Sequence, residues 1–166
     1  MFSGIGYDQF NALVSPDFLN LRTLLFAIIC YVYSSVPFAL IFTYLFKREI
    51  LSRKGSQNVG VANAFGVGGL GAGFSTVAGE ISKAALPLTL THFYYDGAVA
   101  VAVVLVFISI LGVNFSIFLK GRGSMGTTIL LSTLIVLSPF TFLIFAGVFV
   151  ILFFSTRSVY ITVVTG

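Results

Sequence analysis

Apolar residues run along this chain in long blocks, and polar residues collect in the short stretches between them. The first block, Leu21 to Phe46, holds one charge, Arg22, at its start. Crossing the roughly 30 Å hydrocarbon core of a bilayer takes about 20 apolar helical residues, so this block predicts a membrane-spanning helix. Asp17 or Ser15 can begin it, and Lys47-Arg48-Glu49 ends it. Its apolar part is too long for a cleavable signal peptide, and Asp8 and Asp17 stand where a basic region would be needed. The second block, Val67 to Leu90, is apolar or small, with six glycines between Gly66 and Gly79, and it carries Glu80 and Lys83. The third, Ala98 to Leu119, has no charge. The fourth, Thr127 to Phe154, has no charge in 28 residues. As a helix that is about 42 Å at 1.5 Å per residue, enough to cross with tilt. Pro139 near its middle is a kink point. A β-branched tail, Val159 to Val164, is too short to span alone. The pattern predicts an all-α polytopic membrane bundle, one domain over residues 1–166. Its spans fall at about 21–46, 67–91, 98–119 and 127–154, with the tail as a short fifth segment.

Composition narrows the class. Only 8% of the 166 residues are charged and 58% are hydrophobic, where an ordinary soluble domain has roughly 25% charged residues. A soluble enzyme, a nucleic-acid binder and a disordered chain are excluded. Cys30 and His92 are each the only residue of their type, so neither an intrachain disulfide nor a multi-His or Cys-based metal site can form. Six of the nine Lys and Arg residues sit in two loops: Lys47, Arg48, Arg53 and Lys54 after the first span, and Lys120 and Arg122 after the third. With four spans both loops lie on one side. The bias of basic residues to the inner face makes that side cytoplasmic in a multi-pass plasma-membrane protein. The N-terminal stretch, the His92 to Asp96 loop and Arg157 then lie outside.

Four polar segments carry candidate chemistry. Gly55-Ser56-Gln57-Asn58-Val59-Gly60-Val61-Ala62-Asn63 follows two cations. Glycines there let backbone N–H groups converge on an anion, although a glycine-rich turn between spans explains the same residues. Lys120-Gly121-Arg122-Gly123-Ser124-Met125-Gly126 precedes the fourth span, whose first N–H groups can hold an anion. The same loop also serves as ordinary topology signalling. Ser34-Ser35-Val36-Pro37 lies inside the first span. Pro37 frees a carbonyl one turn back, and the hydroxyls can satisfy it or face a substrate. Glu80 and Lys83 share a helix face and read equally as a pair that pins packing or as a site in a cavity.

In this order and spacing the segments resemble the PlsY family of acyl-phosphate:glycerol-3-phosphate acyltransferases. The resemblance rests on Ser35-Val36-Pro37-Phe38, Gly55-Ser56-x-Asn58-x-Gly60-x-x-Asn63, Glu80-x-x-Lys83 and Lys120-Gly121-Arg122-Gly123, from Tyr33 to about Tyr160. The Gly-Asn block is its most specific part. The resemblance implies an enzyme that moves an acyl group from an acyl phosphate to the 1-hydroxyl of glycerol 3-phosphate, with no cofactor, no metal and no direct acyl carrier. It implies Ser35 and Arg53 as catalytic residues, with Arg48 an alternative to Arg53. It implies Gly55, Ser56, Asn58, Gly60, Asn63, Lys83, Lys120 and Arg122 at the substrate.

The chain departs from the family pattern at polar positions. Gly66 stands where the family usually has Arg, Val113 where it has His, and Ser124-Met125 where it has Gly-Lys. The family also continues beyond the position matched by Gly166. Acyl phosphates need cations to offset their charge. These losses lead to the expectation of a degenerate, C-terminally shortened member, acting as a non-catalytic accessory or structural subunit beside other membrane subunits. The alternative is an active acyltransferase of phospholipid biosynthesis that binds glycerol 3-phosphate and acyl phosphate. Both readings place the chain in the lipid bilayer and neither involves nucleic acid.

Overall fold

The computed structural model describes residues 20–124, 126–148 and 151. All regular structure among them is helical. Three helical stretches, Leu21–Lys47, Val61–Tyr94 and Val99–Leu119, are long and apolar enough to cross a membrane. The described residues fall into two compact units that divide between Thr133 and Leu134.

The first stretch is two helices. Helix α1 is Leu21–Ser34. Its cap is Asn20, whose Oδ1 accepts the Thr23 N–H at 2.9 Å; Asp17 and Ser15 lie outside the described residues. Helix α2 is Phe38–Lys47. Pro37 lacks an N–H for the Tyr33 carbonyl, and the Val36 N–H takes that carbonyl instead at 3.1 Å. The Ser35 hydroxyl donates to the Tyr31 carbonyl at 2.8 Å. The backbone N–H of Val36 therefore repairs the break that the sequence assigned to a serine hydroxyl.

Helix α3, Val61–Tyr94, begins six residues before the predicted 67–91 span, and Gly69 interrupts it at φ 79° and ψ −173°. Only glycine takes that conformation readily. The break falls beside the predicted boundary, because the segment before it is helical on its own account. Pro87 sits inside α3, and the Thr91 hydroxyl donates to its carbonyl at 2.8 Å.

Helix α4 is Val99–Asn114. Small residues set how closely the helices approach. A Cβ at Gly68 would meet the Thr43 backbone, one at Gly79 the Phe38 ring, and one at Gly112 the Tyr31 carbonyl. In lipid, close packing and interhelical hydrogen bonds replace the hydrophobic drive, so small interface residues are favoured. Phe38 and Thr43 of α2 thus pack on α3, and Tyr31 of α1 packs on α4. At the end away from the basic loops, the Thr23 and Tyr95 hydroxyls bond at 2.7 Å.

Burial is inverted relative to a water-soluble fold. Thr43, Thr76, Ser109 and Ser34 are buried, while Leu24, Ile28, Phe74 and Phe107 are exposed. Apolar side chains cover the outside because their solvent is lipid.

Helix α5 is Thr127–Leu137. Its Ile129 packs with Ala84 and Val113. Helix α6, Pro139–Val148, belongs to the second unit. The predicted single span over 127–154 is thus divided at Ser138. Pro139 cannot donate an N–H, and the Ser138 Oγ accepts the Thr141 N–H at 3.4 Å, starting a new helix. Positions 149, 150 and 152–166, the β-branched tail included, lie outside the described residues.

Candidate functional site

The loop between α2 and α3 is held by one side chain. Asn63, on the first turn of α3, is buried. Its Nδ2 donates to the carbonyls of Asn58 at 2.9 Å, Lys54 at 3.1 Å and Leu51 at 3.3 Å. Its Oδ1 accepts the Ser56 N–H at 3.1 Å. Gly55 lies at φ +60°, where a Cβ would strike that Oδ1. Gly55, Ser56 and Asn63 therefore build the loop, and all of Asn63's polar capacity is spent inward. Gly60 is the N-cap residue of α3. The loop starts with a short 3-10 turn, Leu51–Arg53, anchored by the buried Leu51. That anchoring leaves Arg53 outside and exposed.

The loop between α4 and α5 docks on the end of α4. The Gly123 N–H donates to the Asn114 carbonyl at 3.0 Å, and the Ser124 N–H donates to the Val113 carbonyl at 3.1 Å. These bonds satisfy carbonyls that a helix terminus leaves open. A Cβ at Gly123 would collide with both carbonyl oxygens, so only glycine fits. Arg122, one residue earlier, is exposed beside this contact.

Together the two loops form a cleft of about 530 Å³, lined by Arg53, Gln57, Asn58 and Arg122 among others, with no carboxylate in its lining. Arg53 and Arg122, from loops about 70 residues apart in sequence, thus line one space. Arg suits a phosphate because its planar fork can bind two oxygens at once. Lys54 is drawn away from this role by an exposed ion pair with Glu49 at 2.6 Å.

Deeper lies a second cavity of about 10 Å³, the size of one water, lined by Ser34, Ser35, Glu80 and Lys83 among others. It shares Val59, Leu119 and Gly123 with the outer cleft. Lys83 Nζ donates to Glu80 Oε1 at 2.8 Å, and both side chains are over nine-tenths buried. Lys83 Nζ also lies 5.2 Å from the centre of the Phe38 ring, within range of a cation–π attraction. A pair so deep must be matched to exist, since each charge alone would be strongly disfavoured. The Ser116 hydroxyl donates to the Ser35 carbonyl at 2.6 Å, joining the second basic loop to the kink.

The structure therefore brings Ser35 and Lys83 to the inner cavity, and Arg53, Asn58 and Arg122 to the outer cleft. Gly55, Ser56, Gly60 and Asn63 shape the first loop and line neither space. Lys120 is exposed in a left-handed turn at φ 53° and lines neither space. Reasoning from sequence placed Ser34 and Gln57 inside candidate segments without naming either as a site residue, and passed over Ser116 altogether. The Ser34-Ser35 pair before proline carried a signal, because one hydroxyl of such a pair bonds back along the helix and the other is left over. Ser116 carried none.

These features define an integral membrane protein of helices with a basic cleft where two glycine-rich loops meet. The chain belongs to the glycerol-3-phosphate acyltransferase family, whose model matches residues 24–166. It is 32% identical to a glycerol-3-phosphate acyltransferase of Pelagibacter ubique over 122 residues, which is 74% of this chain and 62% of that protein. It is 27% identical to one from Syntrophomonas wolfei over 132 residues, 80% of this chain and 67% of the relative. It is 33% identical to one from Bacillus cereus over 144 residues, 82% of this chain and 68% of the relative. The chain thus spans about two thirds of the length of these relatives. No solved structure matches it.

Proposed function

We propose that the protein is a glycerol-3-phosphate acyltransferase of the plasma membrane, with the phosphate of its acceptor held between Arg53 and Arg122. One observation carries this reading: the two arginines and Asn58 line one cleft of about 530 Å³ whose lining has no carboxylate. Cations fixed at the rim of a lipid-embedded site attract an anionic substrate and offset the charge of the reacting phosphate. The named relatives are acyltransferases. The accessory-subunit expectation draws no support from them, and the catalytic alternative replaces it.

The donor, by the family resemblance, is an acyl phosphate. The acceptor hydroxyl oxygen forms the ester bond to the acyl carbon as the carbon–oxygen bond to phosphate breaks. Inorganic phosphate leaves with the bonding electron pair, and the hydroxyl proton passes to that phosphate. In this reading Arg53, Asn58 and Arg122 bind, Lys83 lies at depth paired with Glu80 and orients that carboxylate, and Ser35 holds the kink beside the reacting groups. Gly55, Ser56, Gly60 and Asn63 keep the first loop in shape, and Lys120 adds to the positive field. The two basic loops face the cytoplasm, in keeping with the inward bias of Lys and Arg.

The test is incubation of purified protein with acyl phosphate and radiolabelled glycerol 3-phosphate. Label in lysophosphatidate is the expected result. No label above a heat-killed control overturns the proposal.

A further inference from the structure

Ser34 and Glu80 both line the inner cavity. Each keeps one polar atom, Ser34 Oγ and Glu80 Oε2, with no hydrogen-bond partner among the described residues. Ser34 is 1% exposed and Glu80 6%. The neighbouring groups are committed elsewhere: Ser35 Oγ donates to Tyr31, and Glu80 Oε1 accepts from Lys83. Leaving a buried hydroxyl and a buried carboxylate oxygen unmatched is unfavourable, more so for the charged one. A lone carboxylate oxygen calls for a donor, and a serine hydroxyl can give or accept a hydrogen bond. A cavity of about 10 Å³ has room for one oxygen and little more.

We infer that Ser34 and Glu80 form a built site for a single hydroxyl-type oxygen: water in the resting protein, and an alcohol oxygen of the acceptor during turnover. The acceptor half rests on the function proposed above. An O–H donates to Glu80 Oε2, while its oxygen accepts from Ser34 Oγ. Because the cavity shares Val59, Leu119 and Gly123 with the outer cleft, one small molecule can place its phosphate at the arginines and its alcohol inside. Ser34 is then a positioning residue that separates polyol phosphates from alkyl phosphates of similar size.

The test has two arms. Crystal structures of the full chain, free and with glycerol 3-phosphate, should show an oxygen within about 3.2 Å of both atoms. That oxygen should be water in the first structure and an alcohol oxygen in the second. No oxygen in either structure overturns the site. A water retained beside bound glycerol 3-phosphate overturns the acceptor half while leaving the acyltransferase reading intact. That reading falls separately, if wild-type protein transfers no acyl group. In the second arm, Ser34→Ala should raise KM for glycerol 3-phosphate about tenfold, with kcat within about threefold, as loss of one specific buried hydrogen bond would do. Inhibition by n-propyl phosphate, which has no hydroxyl to place there, should be unchanged. Equal weakening of both compounds overturns the assignment.

Discussion

Replacing Asn63 with alanine tests how the cleft is built. The substitution removes four hydrogen bonds, to Leu51, Lys54, Ser56 and Asn58. Each such bond contributes about 1 kcal/mol net. Lys54 and Ser56 are exposed and regain water as partners, whereas Leu51 is fully buried and Asn58 partly so. Weighting the bonds accordingly gives a loss of about 2–3 kcal/mol, confined largely to residues 51–58. Opening of that loop should therefore become about 30- to 150-fold more frequent, since 1.36 kcal/mol is a factor of ten. Hydrogen–deuterium exchange in detergent micelles reads this directly. Amides of residues 52–58 should exchange faster by that factor, while those in the middle of α4 stay within about twofold. Cys30, the only cysteine and fully buried, gives an independent global measure through its reaction with a thiol-reactive dye on heating. Unchanged exchange at residues 52–58 in Asn63→Ala would refute the idea that this side chain holds the loop. An increase spread evenly over α1 to α4 would refute its local character.

Other substitutions probe separate links. Gly123→Ala forces a methyl group against the carbonyls of Val113 and Asn114; melting followed at Cys30 should fall by several degrees, and an unchanged midpoint would contradict the docking of that loop. Lys83→Met leaves the Glu80 carboxylate buried and unpaired, a loss of about 3–5 kcal/mol, and adding Glu80→Leu should restore most of it. If the double variant melts no higher than the single one, the pair does more than neutralise itself. Ser116→Ala strips the Ser35 carbonyl of its buried partner, so thermal stability should drop by the equivalent of about 1–3 kcal/mol.

Much of this architecture was legible in the order of the residues. Blocks of 20 or more apolar residues mark helices because a bilayer leaves the backbone no other way to satisfy itself. The kink at Pro37 was legible for the same reason that proline always shows: a missing N–H. The start of α3 was less so. Asn63 and the glycines near it read as loop chemistry, yet Asn63 already sits on the helix and reaches back into the loop. Spacing alone cannot distinguish a side chain that binds a ligand from one that ties its own backbone. The same ambiguity hid the division of labour between Ser34 and Ser35, where only the three-dimensional path shows which hydroxyl is committed. Composition located Lys120 and Arg122 in one loop, but docking on the end of α4 selects Arg122 for the cleft.

The cleft between Arg53 and Arg122 is the centre of the account. Its most direct test is steady-state acylation of glycerol 3-phosphate by purified wild type, Arg53→Gln and Arg122→Gln, with acyl phosphate held saturating. Under the proposed function each guanidinium gives the phosphate charge-assisted hydrogen bonds, worth about 1.5–3 kcal/mol. Each variant should therefore lose about 10- to 150-fold in kcat/KM. Wild-type protein that transfers nothing, or variants that both stay within about twofold of wild type, would contradict it.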